Sequence, residues 1–369
     1  MGIRGTLKAL ERLWGLDPGA YEPLTGHTAW IERPQGFTVA EPRRAASGGG
    51  WALYLARKEA LDSLEAARRL AALLGAESYS LQGLKDACSL SYQYIALKNP
   101  RSTPSRVEAE KLRAWLVGWS RPLAPGMHGF NIFRLHVRLQ GDPRAFCRAA
   151  QGVGWIPGYY GPQRFGVERP NTHYIGYLRL LGRLGRLALE YRRRYPLEER
   201  GLQSPGSYER RALEAVKRGR SPLEAARFGP RGIHLEALQA YIFNRALSRL
   251  EQRGLDPWAS TRRRLHLACP QGRVAAPAGR LPPPGRPSAP WQEVVLEVME
   301  EEGLPPGLWV PHTTRGSWRP LAYPVCRISC RPTSDGAILV TALPAGAYAT
   351  ILLRRIAWVD WLRYSHCNP

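Results

Sequence analysis

The chain has 369 residues, of which 44% are hydrophobic and 22% are charged. This composition excludes a disordered chain, and the length predicts two domains. Lys and Arg together number 53 against 30 Asp and Glu, which gives a formal net charge of +23 at pH 7. Such an excess predicts a polyanionic partner, for which nucleic acid is the first candidate and an anionic membrane surface the second.

The six cysteines form neither a CxxC pair nor a ladder of Cys and His with metal-ligand spacing. We therefore predict no metal, and we expect Cys326 and Cys330 to be buried thiols in a strand. The sequence shows no apolar run of 18 residues and no basic-then-apolar leader, which predicts a cytoplasmic protein without a membrane segment. The presence of only three Met indicates a thermophilic source.

Hydrophobic periodicity predicts strands with helices interspersed in the first 145 residues. Spacing of three and four residues marks a helix over 59–74 that ends at Gly75. In the last of the strands, Asn131 and Phe133 share one face. The predicted strands are 36–41, 51–56, 89–96 and 130–139. Because the order of elements is not strictly βαβ, we predict an α+β fold with a mixed sheet.

From 167 to 265 the sequence is helical and basic. Helices are predicted over 178–195 and 234–253, and Ser221 begins another as the first residue of a capping box. Residues 179–231 hold 13 Arg and one Lys against six Glu. Two interpretations remain open for this excess, a solvated helix face and a surface that contacts the RNA backbone.

Residues 270–290 contain seven Pro and are predicted to form an extended connector. Short elements then follow to the end of the chain. They are an acidic helix over 291–302, a hairpin of strands 327–331 and 337–343 around the turn 334–336, and a last helix over 347–358 that opens after Gly346.

Asp86 is the leading candidate for chemistry, because carboxylates are few in this chain and this one lies in a turn before a strand. Four further segments combine aromatic, amide and glycine residues. They are the strand with Asn131 and Phe133, the loop 157–166 with Gln163 and Arg164, the helix segment 241–245 with Asn244, and the turn 343–350, whose free amides suit a phosphate.

Together and in this order, the five segments resemble the motifs of the TruD family of tRNA pseudouridine synthases. The resemblance runs from Phe37 to Arg354. The matching positions are Gly83, Lys85, Asp86, Ser91 and Gln93, then Asn131 and Phe133, then 157–166 with Gly158 in place of the family's Asn, then Phe243 and Asn244, and finally 343–350.

The resemblance implies a pseudouridine synthase fold, which is an α+β domain with a mixed, mainly antiparallel sheet and flanking helices. In this family the catalytic domain is interrupted by an insertion domain, here largely helical and basic. The implied boundaries are 1–166 and 331–369 for the catalytic domain and 167–330 for the insertion domain, which would clamp RNA.

The resemblance also implies an enzyme that isomerises one uridine of tRNA, at position 13, to pseudouridine without a cofactor. Asp86 would be the nucleophile, Phe133 would stack on the flipped base and Asn131 would hold the uracil edge. tRNA is the partner implied, and no obligate protein partner is expected. The residues expected to contact the RNA are Gln163, Arg164, Asn244, Arg179, Arg183 and Arg186.

Two departures from the family pattern bear on this site. Ile31 stands where the family has a Lys, so the cationic partner of Asp86 is left to Lys85 or Arg33. Arg355 stands where Glu is common. These departures leave open a second interpretation, a non-catalytic tRNA-binding protein or RNA chaperone that retains the fold. A nuclease or a methyltransferase is poorly supported, because convergent carboxylates and a glycine-rich cofactor loop are not seen in the sequence.

Overall fold

The structure is a computed structural model that describes residues 3–42, 48–166, 169–193, 195, 208–228, 232–281, 289–304 and 317–364. The chain divides into two compact units. Unit 1 consists of Met1–Glu22, Pro157–Leu265 and Ala276–Ala322, and unit 2 consists of Pro23–Ile156, His266–Ala275 and Tyr323–Pro369.

The described strands are β1 (Thr28–Ile31), β2 (Phe37–Ala40), β3 (Trp51–Glu59), β4 (Ser78–Leu81), β5 (Leu90–Lys98), β6 (Arg106–Ala109), β7 (Leu112–Ser120), β8 (Phe130–Gln140), β9 (Trp155–Pro157), β10 (Arg264–Cys269), β11 (Gly272–Leu281), β12 (Ser317–Pro320), β13 (Ala322–Pro324), β14 (Arg327–Thr333), β15 (Gly336–Pro344) and β16 (Trp358–Val359). The described helices are α1 (Ile3–Leu13), α2 (Ser63–Leu73), α3 (Pro143–Gln151), α4 (Thr172–Leu180), α5 (Leu184–Arg192), α6 (Tyr208–Lys217), α7 (Pro222–Ala225), α8 (Ile233–Gln252), α9 (Pro290–Glu301), α10 (Ala349–Ile356) and α11 (Trp361–Tyr364).

Unit 2 is built on an 11-stranded sheet. Its main strand order is β14-β15-β8-β2-β5-β3-β7-β6; β1 pairs with β8 and β16, and β4 pairs with β5. The pairing is antiparallel except between β2 and β5 and between β1 and β16. The sheet is therefore mixed and mainly antiparallel, which confirms the predicted α+β fold.

One face of this sheet carries the core of unit 2. In β8, Asn131 and Phe133 are buried, whereas Ile132 and Arg134, which point to the other face, are exposed. α2 packs on the buried face, where its apolar residues join those of β3, β5 and β7 in one cluster. The alternation that the sequence shows in this strand is thus the division between core and solvent.

A transverse row of side chains crosses the buried face. Phe133 pairs with Val39, Val39 with Ser91, Ser91 with Lys58, and Lys58 with Leu112. Residues paired across neighbouring strands point to the same side of a sheet, so these five side chains share one face. We call this set the Phe133 row.

Unit 1 is mainly helical and contains α1 and α4 to α9. It also contains most of a three-stranded sheet in the order β10-β11-β12. The tip of the β10-β11 hairpin, His266–Ala275, is part of unit 2. α8 is a 20-residue helix with a largely buried surface that packs against α4 and α9. α4 and α8 approach so closely that a Cβ on Gly176 would lie 2.2 Å from the carbonyl oxygen of His234. Glycine at this position permits the contact.

Two predicted helices differ from the structure for local reasons. The single helix predicted over 178–195 is wrong, because Gly182 adopts a φ of 64° and separates α4 from α5. The helix predicted from residue 59 begins at Ser63, because β3 continues to Glu59 and the side chain of Asp62 caps the helix.

Two predictions in the last third of the chain are also wrong in part. The proline-rich segment 270–290 contains β11, in which the carbonyl of Pro277 accepts a hydrogen bond of 2.7 Å from the N–H of Leu321. Residues 282–288 lie outside the described residues. The last helix, predicted over 347–358, ends at Ile356 and is followed by β16 and α11.

Disulfides replace the buried thiols predicted from the sequence. Cys147 of α3 is bonded to Cys330 of β14, Cys269 of β10 is bonded to Cys326, and Cys88 is disulfide-bonded as well. The prediction of thiols at positions 326 and 330 is wrong, because folding brings partners that are 57 and 183 residues apart to Cα distances of 5.4 and 5.1 Å. These distances lie within the span of a disulfide.

Within the described ranges, no helix is long and apolar enough to cross a membrane. The same residues contain no group of three or more His, Cys, Asp or Glu side chains placed to hold a metal ion. The domain boundaries at 166/167 and 330/331 stay a prediction; unit 1 also includes Met1–Glu22.

Candidate active site

Asp86 lies between β4 and β5 in the segment 82–89, which we call the Asp86 turn, and two groups hold its carboxylate. Oδ2 lies 2.6 Å from Nη2 of Arg33, and Oδ1 accepts a hydrogen bond of 3.0 Å from the backbone N–H of Cys88. The side chain remains 19% exposed. The carboxylate is therefore fixed in position and still open to a reactant.

Arg33 follows β1 and is buried beside the Asp86 turn. Its Nε donates to the carbonyl oxygen of Cys88 at 2.8 Å, and its guanidinium carbon lies 4.6 Å from the ring centroid of Tyr364. A guanidinium can hold a carboxylate and a carbonyl at once because its donors form a planar fork. Arg33 thus supplies the cation that Ile31, buried in β1, cannot supply.

Lys85, the other candidate partner of Asp86, forms a separate buried ion pair. Its Nζ lies 2.9 Å from Oε1 of Glu41. Oε2 of Glu41 accepts hydrogen bonds from Nε2 of Gln82 at 3.0 Å and from the N–H of Tyr94 at 2.8 Å. Lys85 therefore anchors the start of the Asp86 turn and does not pair with the Asp86 carboxylate. Burial of the His128 imidazole and the nearby charge of Lys85 lower the pKa of His128 to about 4.

The main chain of the Asp86 turn is held by three further side chains. Nζ of Lys58 and Oγ of Ser89 donate to the carbonyl oxygen of Asp86 at 2.8 and 2.7 Å. Oγ of Ser63, the first residue of α2, accepts a hydrogen bond of 2.8 Å from the N–H of Lys85. The Asp86 turn is therefore tied both to β3 and to α2.

The sheet places Phe133 and Asn131 on the face that carries the Phe133 row. The ring of Phe133 packs edge-on against Phe37, with centroids 6.0 Å apart, and the guanidinium of Arg33 lies 5.8 Å from the ring of Phe37. Asn131 is 8% exposed, and its Oδ1 has no hydrogen-bond partner among the described residues. A buried amide oxygen without a partner is costly, so Asn131 keeps an acceptor that a ligand can use.

Asn244 does not lie where RNA could reach it. Its side chain is 0% exposed in α8. Oδ1 accepts from the N–H of Tyr160 at 2.8 Å, and Nδ2 donates to the carbonyls of Trp14 at 2.8 Å and Tyr160 at 3.1 Å. The predicted RNA contact of Asn244 is wrong, because its amide groups are occupied in holding the loop 157–166.

The loop 157–166 has a local reason for its departure from the family motif. A Cβ on Gly158 would lie 2.0 Å from the carbonyl oxygen of Pro320, which leaves no room for the family's Asn. Further along the loop, Gln163 is partly buried, and Arg164 forms an ion pair of 2.6 Å with Glu236. Part of the charge of Arg164 is thus already balanced within the protein.

The three arginines predicted on the basic helices differ in their surroundings. Nη1 of Arg179 lies 3.0 Å from Nδ1 of His234, and burial together with this arginine lowers the pKa of His234 to about 3. Arg183 and Arg186 are exposed at the start of α5. RNA contacts at Arg179, Arg183 and Arg186, like those at Gln163 and Arg164, stay a prediction.

Comparison with known proteins finds similarity to one family. The sequence model of the family described as tRNA pseudouridine synthase D (TruD) matches residues 29–193, which include Arg33, Asp86, Asn131 and Phe133. A Pyrobaculum neutrophilum protein named tRNA pseudouridine synthase D is 29% identical in an alignment that covers 84% of each chain. One from Sulfurisphaera tokodaii is 25% identical over 90% of this chain and 94% of its own. The chain is thus similar to TruD proteins over most of its length.

The fold of this chain is also that of a solved structure. The crystal structure of a Methanosarcina mazei protein, described as a tRNA pseudouridine synthase D, superimposes with a TM-score of 0.66 at 19% identity. The match covers 96% of this chain and 99% of the other. It confirms the fold class, and the relatives from thermophilic archaea agree with the source predicted from composition.

Sequence reasoning missed Lys58 and Glu41. Each is the last buried residue of an alternating buried pattern in a strand. Lys58 follows the buried Tyr54 and Ala56 on one face of β3, and Glu41 follows the buried Val39 directly after β2. A charged residue at the next position of an apolar period-two pattern is the signal that could have marked them. Their partners could not have been named, because the pairing depends on how β2 and β3 lie against β5 and the Asp86 turn.

Proposed function

We propose that this protein isomerises uridine 13 of tRNA to pseudouridine, with Asp86 as the nucleophile and without a cofactor. Similarity to the TruD family and the names of the relatives support the reaction class. The ion pair between Arg33 and the partly exposed Asp86 is the observation that carries the choice of nucleophile. The position in tRNA rests on the family resemblance alone.

The chemistry suits a fixed carboxylate. Isomerisation breaks the bond between N1 of uracil and C1′ of the ribose, turns the base, and joins C5 to C1′. C5 loses its hydrogen as a proton and N1 gains one, so no electrons are exchanged and the chemistry does not require a redox cofactor. A nucleophile can form or stabilise the covalent or glycal-type intermediate while the base turns. Asp86 can serve because both of its oxygens are held in place by neighbouring groups.

The base must reach the site before the reaction. Removing a base from its stack costs on the order of a few kcal/mol, and stacking on an aromatic ring returns roughly 1–3 kcal/mol. Phe133 is proposed as that ring, and Oδ1 of Asn131 as the acceptor for an N–H on the uracil edge. Both side chains are largely buried, so we expect a local opening of the site when RNA binds.

The domain assignment is part of the proposal. Residues 1–166 and 331–369 are assigned to the catalytic domain, and 167–330 to an insertion domain that clamps tRNA through shape and phosphate contacts. The net charge of +23 and the exposure of Arg183 and Arg186 support such contacts, to which Gln163, Arg164 and Arg179 are proposed to add. The protein is proposed to act in the cytoplasm without an obligate protein partner.

Tritium release from tRNA labelled with 5-³H-uridine tests the reaction, because C5 must lose its hydrogen when it joins C1′. Asp86→Asn keeps the shape of the side chain and removes the nucleophile. Asp335→Asn is the control, since Asp335 is a 41% exposed carboxylate in the turn between β14 and β15. We expect equal release from the wild type and Asp335→Asn, and none from Asp86→Asn.

Two results would count against the proposal in different ways. A wild type that binds tRNA tightly and releases no tritium would leave the second interpretation, a non-catalytic tRNA-binding protein or RNA chaperone. Release that persists in Asp86→Asn would keep the reaction and remove Asp86 as the nucleophile.

A further inference from the structure

We propose that Lys58 is a positioning residue of this active site, whose charged ammonium holds the Asp86 turn in the conformation from which the carboxylate attacks. The inference rests on the proposed function and extends it to a residue outside the five motifs of the family resemblance. It is carried by the 2.8 Å hydrogen bond from Nζ of Lys58 to the carbonyl oxygen of Asp86.

The burial of Lys58 is unusual for a lysine. The residue is 0% exposed, and its neighbours in the Phe133 row are Ser91 and Leu112. Lysines are almost never fully buried, because removing an ammonium from water is strongly unfavourable unless a partner compensates. An apolar side chain would fill this space without that penalty, so the ammonium itself is what the site requires.

Lys58 acts through Asp86 and not on the RNA. It lies three strand spacings from Phe133 along the row, about 14 Å, and has no exposed surface that tRNA could touch. The carbonyl oxygen that it binds also accepts from Oγ of Ser89 at 2.7 Å. Two donors on one carbonyl fix the peptide plane of Asp86, and with it the direction in which the carboxylate leaves the main chain.

The charges around Lys58 come from several elements. Asp86 and Lys85 face it from the Asp86 turn, Asp62 from the start of α2, and Arg33 from the connection between β1 and β2. β7 contributes Leu112, which does not titrate. The pKa of Lys58 is lowered to about 8, and burial of the ammonium is the largest cause. The carboxylates of Asp86 and Asp62 act in the opposite direction and raise the pKa. The ammonium therefore loses its proton under mildly alkaline conditions, and we expect kcat to decline there.

The test is the pH dependence of kcat and of KM for tRNA between pH 6 and 10, measured by tritium release. Lys58→Met keeps the unbranched shape of the side chain but removes the ammonium group, and we expect kcat at pH 7 to fall on the order of 100-fold with KM unchanged. In Lys58→Arg the guanidinium stays charged over the whole range. We therefore expect this variant to be active and its alkaline decline to move above that of the wild type.

Tyr54→Phe is the matched control. It removes a buried hydrogen bond, from the hydroxyl of Tyr54 to the carbonyl of Pro104 at 3.1 Å, on the same strand and face but away from the Asp86 turn. It measures the effect of disturbing β3 alone, and thermal unfolding confirms that each variant is folded.

The proposal is overturned if folded Lys58→Met keeps the kcat of the wild type, or if the alkaline decline of Lys58→Arg coincides with that of the wild type. If Lys58→Met does not fold, the comparison with Lys58→Arg decides alone. An active wild type with unaffected variants removes only this inference. A wild type that releases no tritium removes the proposed function, and this inference with it.

Discussion

Arg33 holds the Asp86 turn at two points, the carboxylate of Asp86 and the carbonyl of Cys88. Its guanidinium also lies against the ring of Tyr364. A lysine ammonium is a compact point charge without a planar fork, and it could not make the same set of contacts. The structure thus places the cation beside Asp86 at residue 33, as a guanidinium that makes several contacts.

We expect Arg33→Met to lower kcat on the order of 100-fold, because the carboxylate loses its ion pair and the Asp86 turn loses one tie. Arg33→Lys keeps the charge but loses one hydrogen-bonding contact, so kcat should fall about tenfold. Arg106→Met is the control, since Arg106 pairs with Glu108 within β6, at the edge of the sheet. Single-turnover tritium release measures all three, and an Arg33→Met rate equal to that of the wild type would contradict the role of Arg33.

At the scale of elements, the sequence predicts a strand well where one of its faces is polar. β8 alternates core and solvent, and its bounds differ from the prediction by a single residue. β7 was not predicted, because Trp115, Val117 and Trp119 make its outer face apolar and remove the period-two pattern. The separation of α4 from α5 depends on Gly182, whose positive φ cannot be distinguished from a helical glycine in the sequence.

The exposed arginines of α5 carry a prediction about RNA binding. Each phosphate that a cation neutralises steepens the dependence of log affinity on log salt by about 0.7–0.9. Arg183→Gln with Arg186→Gln should therefore reduce that slope for tRNA by roughly 1.5. Filter binding over a series of salt concentrations measures it.

The matched control for this pair is Arg249→Gln with Arg253→Gln at the C-terminal end of α8. It removes the same charge from the same unit, but these arginines pair with Glu297 and Glu301 of α9. Its slope should stay near that of the wild type. An equal reduction by both double variants would mean that the effect is one of total charge and not of a contact at α5.

The disulfide between α3 and β14 should stabilise unit 2. Cys147→Ala with Cys330→Ala removes a link between segments 183 residues apart, and we expect the free energy of unfolding to fall by about 2–5 kcal/mol. Denaturant unfolding of the oxidised protein measures this. The difference between the wild type and the double variant should become smaller when both are reduced, and equal midpoints in the oxidised state would show that this link does not contribute.

At the scale of the whole molecule, the candidate site combines residues from separate parts of unit 2. The motifs identified Asp86, Asn131 and Phe133, and charge complementarity kept Arg33 as an alternative. Which of the two cations meets Asp86 depends on the path of the main chain after β1, and the tie to Lys58 depends on strand register. Neither is encoded in local periodicity, so the sequence could suggest the reacting groups but not the contacts that orient them.

Three histidines, of which His234 is buried and His128 and His173 are partly buried, should make the fold sensitive to mild acid. Burial lowers the pKa of His128 to about 4 and those of His173 and His234 to about 3, all below the 6.5 of an exposed histidine. The unfolded chain therefore binds more protons below about pH 6.5, and stability should fall as the pH is lowered from there. Thermal unfolding between pH 7.5 and 5 measures the slope.

His173→Phe separates this effect from the titration of carboxylates. His173 stacks on Tyr241 with centroids 4.6 Å apart, and Phe keeps an aromatic ring while removing the titrating group. The variant should lose less stability than the wild type over the same pH interval. Parallel curves for the two proteins would show that His173 does not contribute to the acid sensitivity.

The most direct test of the account is to locate pseudouridine in a tRNA transcript after incubation with the protein, by carbodiimide modification and reverse transcription. We expect a stop one nucleotide 3′ of position 13 with the wild type, and none with Asp86→Asn or with a transcript in which uridine 13 is replaced by cytidine. A transcript that the wild type binds but leaves without any stop, or a stop that persists with Asp86→Asn, would contradict the claim that Asp86 isomerises this uridine.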